Sequence, residues 1–233
     1  MLDIHTHILP KIDDGSKSVE MSLEMLRKSR EQGVTTLVST SHYYADVESP
    51  MSFRSRRAHA RHKLEDALTG DEPELLYGAE VMYYPGICHS EEIAGLAIKG
   101  TDLLLIELPF IPWQSSVLDE LVTLQYNSRL HIVLAHVERY LDFEKKSVFR
   151  ELFDKPFYFQ CNADAFMFRH TRKLALNMLD SGLLHFLGTD CHNSTDRPPN
   201  MEVAKKIVEK KLSPAAWSNL IDDCDSRFDR HRK

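Results

Sequence analysis

Short apolar segments alternate with longer amphipathic segments along the whole chain, and this alternation constrains the fold more than any other feature. The segments 103–108 (LLLIEL) and 131–135 (HIVLA) are nearly continuous in Leu, Ile and Val, which is typical of parallel strands covered on both faces. Between such segments the apolar residues follow helical spacing, as in 18–33, where Ser18 suits an N-cap and Gly33 a helix end. Strands that alternate with helices predict parallel βα units.

Seven apolar segments qualify as strands: residues 2–7, 35–41, 74–80, 102–108, 131–136, 157–161 and 184–190. No linker rich in Pro, Gly or Ser and no internal repeat separates them. The sequence therefore predicts one α/β domain over residues 1–233, folded as a closed or nearly closed parallel barrel. An open doubly wound sheet shares the same periodicity and remains an alternative. Residues 226–233 are expected to fray.

The composition excludes several classes of protein. With 233 residues, of which 42% are hydrophobic, the chain is long enough to bury a core in one domain. A net charge of −6 argues against binding to nucleic acid. No apolar run approaches the ~20 residues of a membrane span, and the first residues show no secretory signal pattern. Four cysteines without paired spacing are typical of reduced thiols, so we expect a cytoplasmic protein without membrane insertion.

Imidazole and carboxylate side chains fall at or just after the carboxyl ends of the predicted strands. They are His5, His7, Asp13, Asp14, His42, Glu80, Glu107, His136, Asp190 and His192. His5 and His7, two residues apart, lie on one face of the first strand. In a parallel barrel all these positions share the face where the chemistry is found. Such groups are costly near a core unless paired or coordinated, so the set predicts a metal centre for Mn, Fe or Zn.

Each of these residues, taken singly, also has a structural interpretation. His42 or His136 alone would more often be a hydrogen-bonded structural histidine, and the Asp13–Gly15 segment alone would be a turn. Five other histidines do not follow strand ends and are predicted to be surface residues: His59, His62, His89, His170 and His231. His131 and His185 stand at strand beginnings, so we expect them at the opposite end of the barrel.

The stretches DIHTHILPKIDDGSKS, STSHYY, YGAEVMYY, AHVERY and TDCHNSTDRPPNM give the chain a family resemblance. It resembles the polymerase-and-histidinol-phosphatase (PHP) metallohydrolases, and more closely their bacterial tyrosine-protein phosphatase branch associated with capsule and exopolysaccharide synthesis. The matching stretches extend from residue 3 to about residue 201. The resemblance implies a single-domain, distorted (β/α)7 TIM-like barrel that holds three divalent metal ions. Mn²⁺ is the first expectation, with Fe, Mg²⁺ or Zn²⁺ as alternatives.

The resemblance also implies roles for individual residues. The implied ligands are His5, His7, Glu80 and Asp190 for a first metal, Glu80 as a bridge with Glu107 and His136 for a second, and Asp14, His42 and His192 for a third. Asp13 is expected to support a ligand, although the sequence leaves open which of Asp13 and Asp14 coordinates. Arg139 and Arg197 match family arginines and would hold phosphate oxygens. For Arg139 a surface salt bridge is the alternative.

The function implied by the resemblance is hydrolysis of phosphotyrosine by direct attack of a metal-bridging hydroxide on phosphorus. The expected substrate is a phosphotyrosine-containing protein, the tail of a bacterial tyrosine kinase that regulates capsule or exopolysaccharide synthesis. A small phosphate ester such as histidinol phosphate, hydrolysed at the same metal centre, is the alternative. Asp196 or a metal-bound water would protonate the leaving group.

Other functions fit the residues less well. An amidohydrolase usually has a lysine at the end of the fourth strand, where this chain has Glu107. A phosphotyrosine-binding regulator without activity would not need the complete ligand set. Cys191 and Arg197 have the spacing of a cysteine-dependent phosphatase, but the segment between them has no glycine to cradle a phosphate, and Pro198 and Pro199 follow.

Two further segments have open interpretations. The basic stretch 53–63 is either a solvated helix face or a patch that attracts an acidic substrate. The segment 109–113 (PFIPW) either packs over the barrel rim or lines a pocket for an aromatic ring.

Overall fold

Every pair of strands that the structure describes is parallel. The structure is a computed structural model that describes the backbone of residues 1–233 and all side chains except that of Lys146. The strands are β1 (Leu2–Thr6), β2 (Thr36–Ser39), β3 (His42–Tyr43), β4 (Glu74–Tyr77), β5 (Glu80–Met82), β6 (Leu103–Glu107), β7 (His131–Leu134), β8 (Tyr158–Asn162) and β9 (Phe186–Gly188). The helices are α1 (Val19–Glu31), α2 (Pro50–Glu65), α3 (Ser115–Ser128), α4 (Lys146–Phe153), α5 (Arg169–Asp180), α6 (Met201–Lys211) and α7 (Pro214–His231).

The strands form one curled sheet in two hydrogen-bonded groups. One group has the order β1-β2-β4, and the other has the order β3-β5-β6-β7-β8-β9. Only two residues separate β2 from β3, and two separate β4 from β5, so each short strand continues the line of the one before it. At the other edge Asp190 donates its backbone N–H to His5 O (2.8 Å), and His7 donates to Cys191 O (2.9 Å). The chain after β9 therefore lies beside β1.

The apolar character of the strands follows from burial on both faces. All five residues of β6 are buried, as are Ile132, Val133 and Leu134 of β7. Helix α1 begins at the predicted cap, where the Ser18 hydroxyl accepts the Met21 N–H (3.2 Å), and the chain turns at Gly33 with φ +87°. The mixed α/β class with a parallel sheet, predicted from the alternating segments, is confirmed.

The end of the chain differs from the prediction. Residues 226–231 continue α7 instead of fraying, because His231 contacts two groups at the amino end of the sheet. Its Nδ1 lies 2.6 Å from Asp102 Oδ1, and its Nε2 lies 3.0 Å from the Tyr158 hydroxyl. His231 is consequently buried, so its assignment to the surface was wrong. Among the described residues, no helix combines the length and the apolarity that crossing a membrane requires.

Candidate metal centre

The first predicted ligand group meets at the carboxyl edge of the sheet. His5, His7, Glu80 and Asp190 are all buried, and one ligand atom from each lies within 4.8 Å of the others. Strand alternation turns His5 and His7 to the same side, with their Nε2 atoms 3.2 Å apart. Glu80 Oε2 lies 3.1 Å from His5 Nε2, and Asp190 Oδ1 lies 3.4 Å from His7 Nε2.

Glu80 connects the first group to the second. Its Oε2 faces His5 and His7, whereas its Oε1 lies 2.9 Å from His136 Nε2. The same His136 nitrogen is 3.2 Å from Glu107 Oε1. The two oxygens of one carboxylate thus face two different sets of ligands, which is the arrangement that a bridging carboxylate requires.

The third group forms at the mouth of the site. Asp14 Oδ1 lies 3.3 Å from His192 Nε2 and 3.5 Å from His42 Nε2. His7 belongs to this cluster as well as to the first group. The other nitrogen of His42 faces Glu80 Oε2 at 3.1 Å, so His42 lies between the groups, whereas the resemblance assigned it to one metal.

The geometry distinguishes the two neighbouring aspartates. Asp13 Oδ2 is 2.9 Å from His7 Nδ1 and accepts the His42 backbone N–H at 3.1 Å, while its Oδ1 accepts the Gly15 N–H at 2.9 Å. Both carboxylate oxygens of Asp13 therefore already have partners, one of which is the candidate ligand His7. Asp14, with 64% of its side chain exposed, faces the cluster of histidines instead. This arrangement agrees with the supporting role expected for Asp13.

Backbone strain accompanies two of the candidate ligands. His136 has φ +31° and Asp190 has φ +52°, in the left-handed region that L-residues rarely adopt. Both residues stand just beyond a strand, and the unusual conformation helps to turn each side chain into the cluster. Such strain persists where the surrounding structure imposes it, and it concentrates at functional sites.

The buried polar atoms of the cluster fit divalent cations. Despite the close contacts above, four of its buried atoms make no well-aligned hydrogen bond among the described residues: His42 Nδ1, Glu80 Oε2, His136 Nδ1 and His192 Nε2. Buried polar atoms normally have partners, so this concentration indicates that a further group belongs among them. Nitrogen and carboxylate oxygen donors without thiolate suit Mn, Fe or Zn.

The charge states in the site also favour cations. Burial alone would raise the pKa of Glu80 and of Asp190, but the surrounding imidazoles, His5 first, hold both pKa values well below the usual range. Burial alone would lower the pKa of His136, but Glu107 and Glu80 raise it to about 10. The carboxylates are therefore ionised, and bound cations would displace protons from the imidazoles.

Both predicted arginines contact a candidate ligand. Arg197 Nη2 donates to Asp190 Oδ2 at 2.8 Å, and Arg139 Nη1 lies 3.5 Å from the same oxygen. The Arg139 guanidinium also lies 4.6 Å from the centre of the Phe110 ring. The two guanidinium groups line a cavity of about 720 Å³ beside the cluster. The structure thus places Arg139 at the site in a partly exposed ion pair, and its phosphate-binding role stays a prediction.

The wall of this cavity includes an acid that the sequence analysis missed. Asp164 follows β8 and lines the cavity together with Arg139 and Arg197. Burial, and then the charge of Asp190, raises the pKa of Asp164. Asp196, the acid that the sequence indicated, also lines this cavity but is exposed. The only sequence signal for Asp164 was its position after a strand, because it has no motif.

The cysteine interpretation has no structural support. Cys191 is fully buried, and burial raises the pKa of its thiol to about 12. A cysteine nucleophile needs a thiolate, which this environment opposes.

The two remaining segments have clear structural roles. In the basic stretch, Arg57 donates to Gly78 O and lies 5.4 Å from the Phe53 ring centre, and Arg56 pairs with Glu48. These arginines hold α2 in place, which disfavours the proposal that they attract a substrate. In the segment 109–113, Phe110 stacks on His136 with ring centres 5.7 Å apart and also lines the cavity. Phe110 therefore both packs against His136 and lines the cavity.

The fold and the site together define an α/β protein with a candidate multinuclear cation centre at the carboxyl edge of a curled parallel sheet. The family model described as "Capsular polysaccharide synthesis, CpsB/CapC" matches residues 1–226. The chain belongs to the CpsB/CapC family, which confirms the resemblance seen in the sequence.

Several relatives carry the name of an enzyme. The tyrosine-protein phosphatase CpsB of Streptococcus agalactiae serotype III (strain NEM316) is 32% identical over 99% of both chains. The tyrosine-protein phosphatase YwqE of Bacillus subtilis (strain 168) is 28% identical over 91% of this chain and 85% of its own. A solved structure from work on YwqE and on CpsB of Streptococcus pneumoniae, described as unique metal-dependent tyrosine phosphatases, matches with a TM-score of 0.82. It is 25% identical, over 97% of this chain and 93% of its own.

Proposed function

We propose that this chain is a metal-dependent protein-tyrosine phosphatase, a phosphoric monoester hydrolase. The observation that carries the proposal is the convergence of nine imidazole and carboxylate side chains and two arginines at one edge of the sheet. The names of the relatives support the same reaction. The substrate proposed here is phosphotyrosine on the tail of a bacterial tyrosine kinase that regulates capsule synthesis, dephosphorylated in the cytoplasm.

The detailed architecture belongs to the same proposal. We describe the chain as one domain over residues 1–233, in which β2 and β3 together form one barrel strand and β4 and β5 together form another. The resulting seven barrel strands would then close as a distorted (β/α)7 barrel. The hydrogen bonds that join the segment after β9 to β1 support this closure. Three divalent cations, with Mn²⁺ as the first choice, would be held by the nine predicted ligands from His5 to His192. Asp14, and not Asp13, completes this set.

The roles of the remaining residues follow from their positions. When bound, the divalent cations supply a water of lowered pKa as the nucleophile and positive charge near the phosphoryl oxygens. Arg139 and Arg197 would donate to those oxygens from the cavity side, because both guanidinium groups already face the anionic Asp190. Phe110 would contact the tyrosine ring, and Asp164 would protonate the leaving oxygen.

The direct test measures phosphate release from a phosphotyrosine peptide and from histidinol phosphate, each with Mn²⁺ and with chelator. We expect turnover of the peptide that depends on Mn²⁺ and disappears on chelation. Activity that survives thorough chelation would contradict the proposal. Activity on histidinol phosphate alone would replace the protein substrate with a small ester at the same centre.

A further inference from the structure

Strand β8 contributes no predicted ligand, yet it carries two buried amides directly beneath the site. Gln160 and Asn162 are two residues apart and so point to the same face of β8. Gln160 is completely buried, and Asn162 is 3% exposed. Buried amides must place both their donors and their acceptors, so the partners of this pair show what it does.

The two amides form a continuous series of hydrogen bonds between candidate ligands. Gln160 Oε1 accepts the His136 backbone N–H at 2.7 Å and lies 3.2 Å from His5 Nδ1. Gln160 Nε2 donates to Asn162 Oδ1 at 2.9 Å. Asn162 Nδ2 then donates to Asp190 Oδ2 at 2.9 Å. The series therefore runs from an imidazole at one end to a carboxylate at the other.

The direction of this series of hydrogen bonds is determined by the backbone. The His136 N–H needs an acceptor, so Gln160 must present its oxygen, and not its NH2 group, at that end. The same oxygen faces His5 Nδ1, which consequently carries the hydrogen. His5 Nε2 is then left with its lone pair on the side of Glu80 and His7.

The other end of this series of hydrogen bonds orients the carboxylate of Asp190. Because Gln160 donates to Asn162 Oδ1, Asn162 presents its NH2 group to Asp190 Oδ2. Asp190 Oδ1 is then the oxygen that faces His7 Nε2, at 3.4 Å. A glycine makes room for this arrangement, since a Cβ at Gly188 would stand 2.6 Å from His5 Cβ and 3.0 Å from Gln160 Nε2.

We propose that Gln160 and Asn162 are positioning residues that form a directional amide relay, which sets the tautomer of His5 and the orientation of Asp190 for cation binding. The inference rests on the proposed metal centre. Groups of this kind behind metal ligands typically change metal affinity by about 10–100-fold when they are removed.

The experiment compares two substitutions at each position by calorimetric titration with Mn²⁺. Gln160→Met removes the acceptor for His5, whereas Gln160→Glu retains it. Neither Asn162→Leu nor Asn162→Asp can donate to Asp190. We expect Gln160→Met, Asn162→Leu and Asn162→Asp to weaken Mn²⁺ binding by about tenfold or more. Gln160→Glu keeps the acceptor for His5 but loses the donor that orients Asn162, so we expect it to weaken Mn²⁺ binding as well.

The crossed design separates the relay from simpler explanations. If packing alone mattered, Gln160→Met would bind normally and the buried acid of Gln160→Glu would be the worse variant. If added negative charge alone mattered, Gln160→Glu and Asn162→Asp would both bind well. Either pattern overturns the relay. Gln125→Met is the matched control, because Gln125 also bonds through both ends of its amide, to Pro156 O and the Ile132 N–H, on the outer helix α3.

A second measurement does not depend on metal. In metal-free protein at mildly alkaline pH, ¹⁵N chemical shifts of the His5 ring report which nitrogen carries the hydrogen. We expect the Nδ1–H form in the original protein and in Gln160→Glu, and its loss in Gln160→Met; an Nε2–H form in the original protein overturns the relay. If no protein binds Mn²⁺ while the tautomers follow the expectation, the metal centre fails and the relay stands. If Gln160→Met does not fold, the two Asn162 variants and the original tautomer still decide.

Discussion

At the scale of single residues, Asp190 is where the proposed cation site and the arginines proposed to bind phosphate meet. One carboxylate oxygen faces His5 and His7, and the other accepts from Arg197 and Asn162. A phosphate that drew Arg197 away would leave Asp190 with its amide donor, so the carboxylate would keep its orientation during the exchange. The arrangement lets one residue hold the arginines ready without being displaced by the substrate.

Asp164 is the residue whose chemistry can be tested most sharply. Its raised pKa, caused by burial and then by Asp190, favours the protonated form that a leaving group needs. We expect Asp164→Asn to slow hydrolysis of phenyl phosphate by about 10²-fold. We expect a much smaller effect on p-nitrophenyl phosphate, whose leaving group needs no proton. Steady-state kinetics with both esters measures the difference.

Asp196→Asn serves as the control, because Asp196 lines the same cavity but is exposed. We expect nearly unchanged turnover of both esters in that variant. An equal loss on the two esters in Asp164→Asn would assign Asp164 to substrate binding. A loss confined to Asp196→Asn would restore the acid that the sequence indicated.

At the scale of secondary-structure elements, sequence patterns predicted what is encoded locally. All seven apolar segments became strands because continuous Leu, Ile and Val fit a sheet covered on both faces. The short strands β3 and β5 were not predicted, since the predicted segments 35–41 and 74–80 end before the first strand residue of β3 and at the first residue of β5. The amides of β8 were missed for a different reason. Gln160 and Asn162 are neutral and bind no metal, so only their neighbours in space reveal their role.

Helix α7 shows how a distant contact overrides a local pattern. The polar end of the chain looked prone to fray, but His231 reaches Asp102, which lies 129 positions earlier. We expect His231→Ala to lower the free energy of unfolding by about 1–3 kcal/mol, because it leaves partly buried groups of Asp102 and Tyr158 without their partner. Urea unfolding of the metal-free protein gives this value.

The neighbouring residue supplies the comparison for that measurement. Arg230 is exposed, and Arg230→Ala is expected to change the free energy of unfolding by less than about 0.5 kcal/mol. Because Asp102 and Tyr158 lie at the amino ends of β6 and β8, Mn²⁺ affinity should be the same in both variants. Equal stability of His231→Ala and the original protein would show that the end of α7 is held by other contacts.

At the scale of the whole molecule, the two ends of the sheet have different roles. The carboxyl end gathers buried charges and strained backbone, which cost stability and serve the site. The amino end, around Tyr158, His185 and His231, has hydrogen-bonded and stacked side chains that hold the chain end against the sheet. The candidate ligands were predictable because each lies at or just after the carboxyl end of a predicted strand. The contacts of the amino end were not predictable, because they join residues far apart in sequence without any motif.

Because the amino end of the sheet also contains a titratable group, acid is expected to lower the stability of the fold there, away from the candidate metal centre. His185 Nδ1 accepts the Phe159 backbone N–H at 3.0 Å, which requires an unprotonated nitrogen. Burial, and then the nearby Arg227, lowers the pKa of His185 from 6.5 to about 4. The unfolded chain therefore takes up a proton at a higher pH than the folded chain does. The stability that His185 contributes is complete above pH 6.5 and is lost as the pH falls towards about 4.

His185→Gln isolates this contribution, because the glutamine oxygen can still accept the Phe159 N–H but does not titrate. We expect the original protein to be the more stable of the two above pH 6.5 and to lose that advantage progressively down to about pH 4. Urea unfolding of both metal-free proteins across this range measures the difference. The candidate ligands titrate in both proteins alike, so their effect cancels in the comparison. A difference that stays constant with pH would show that His185 takes up its proton over the same pH range in the folded and unfolded chain.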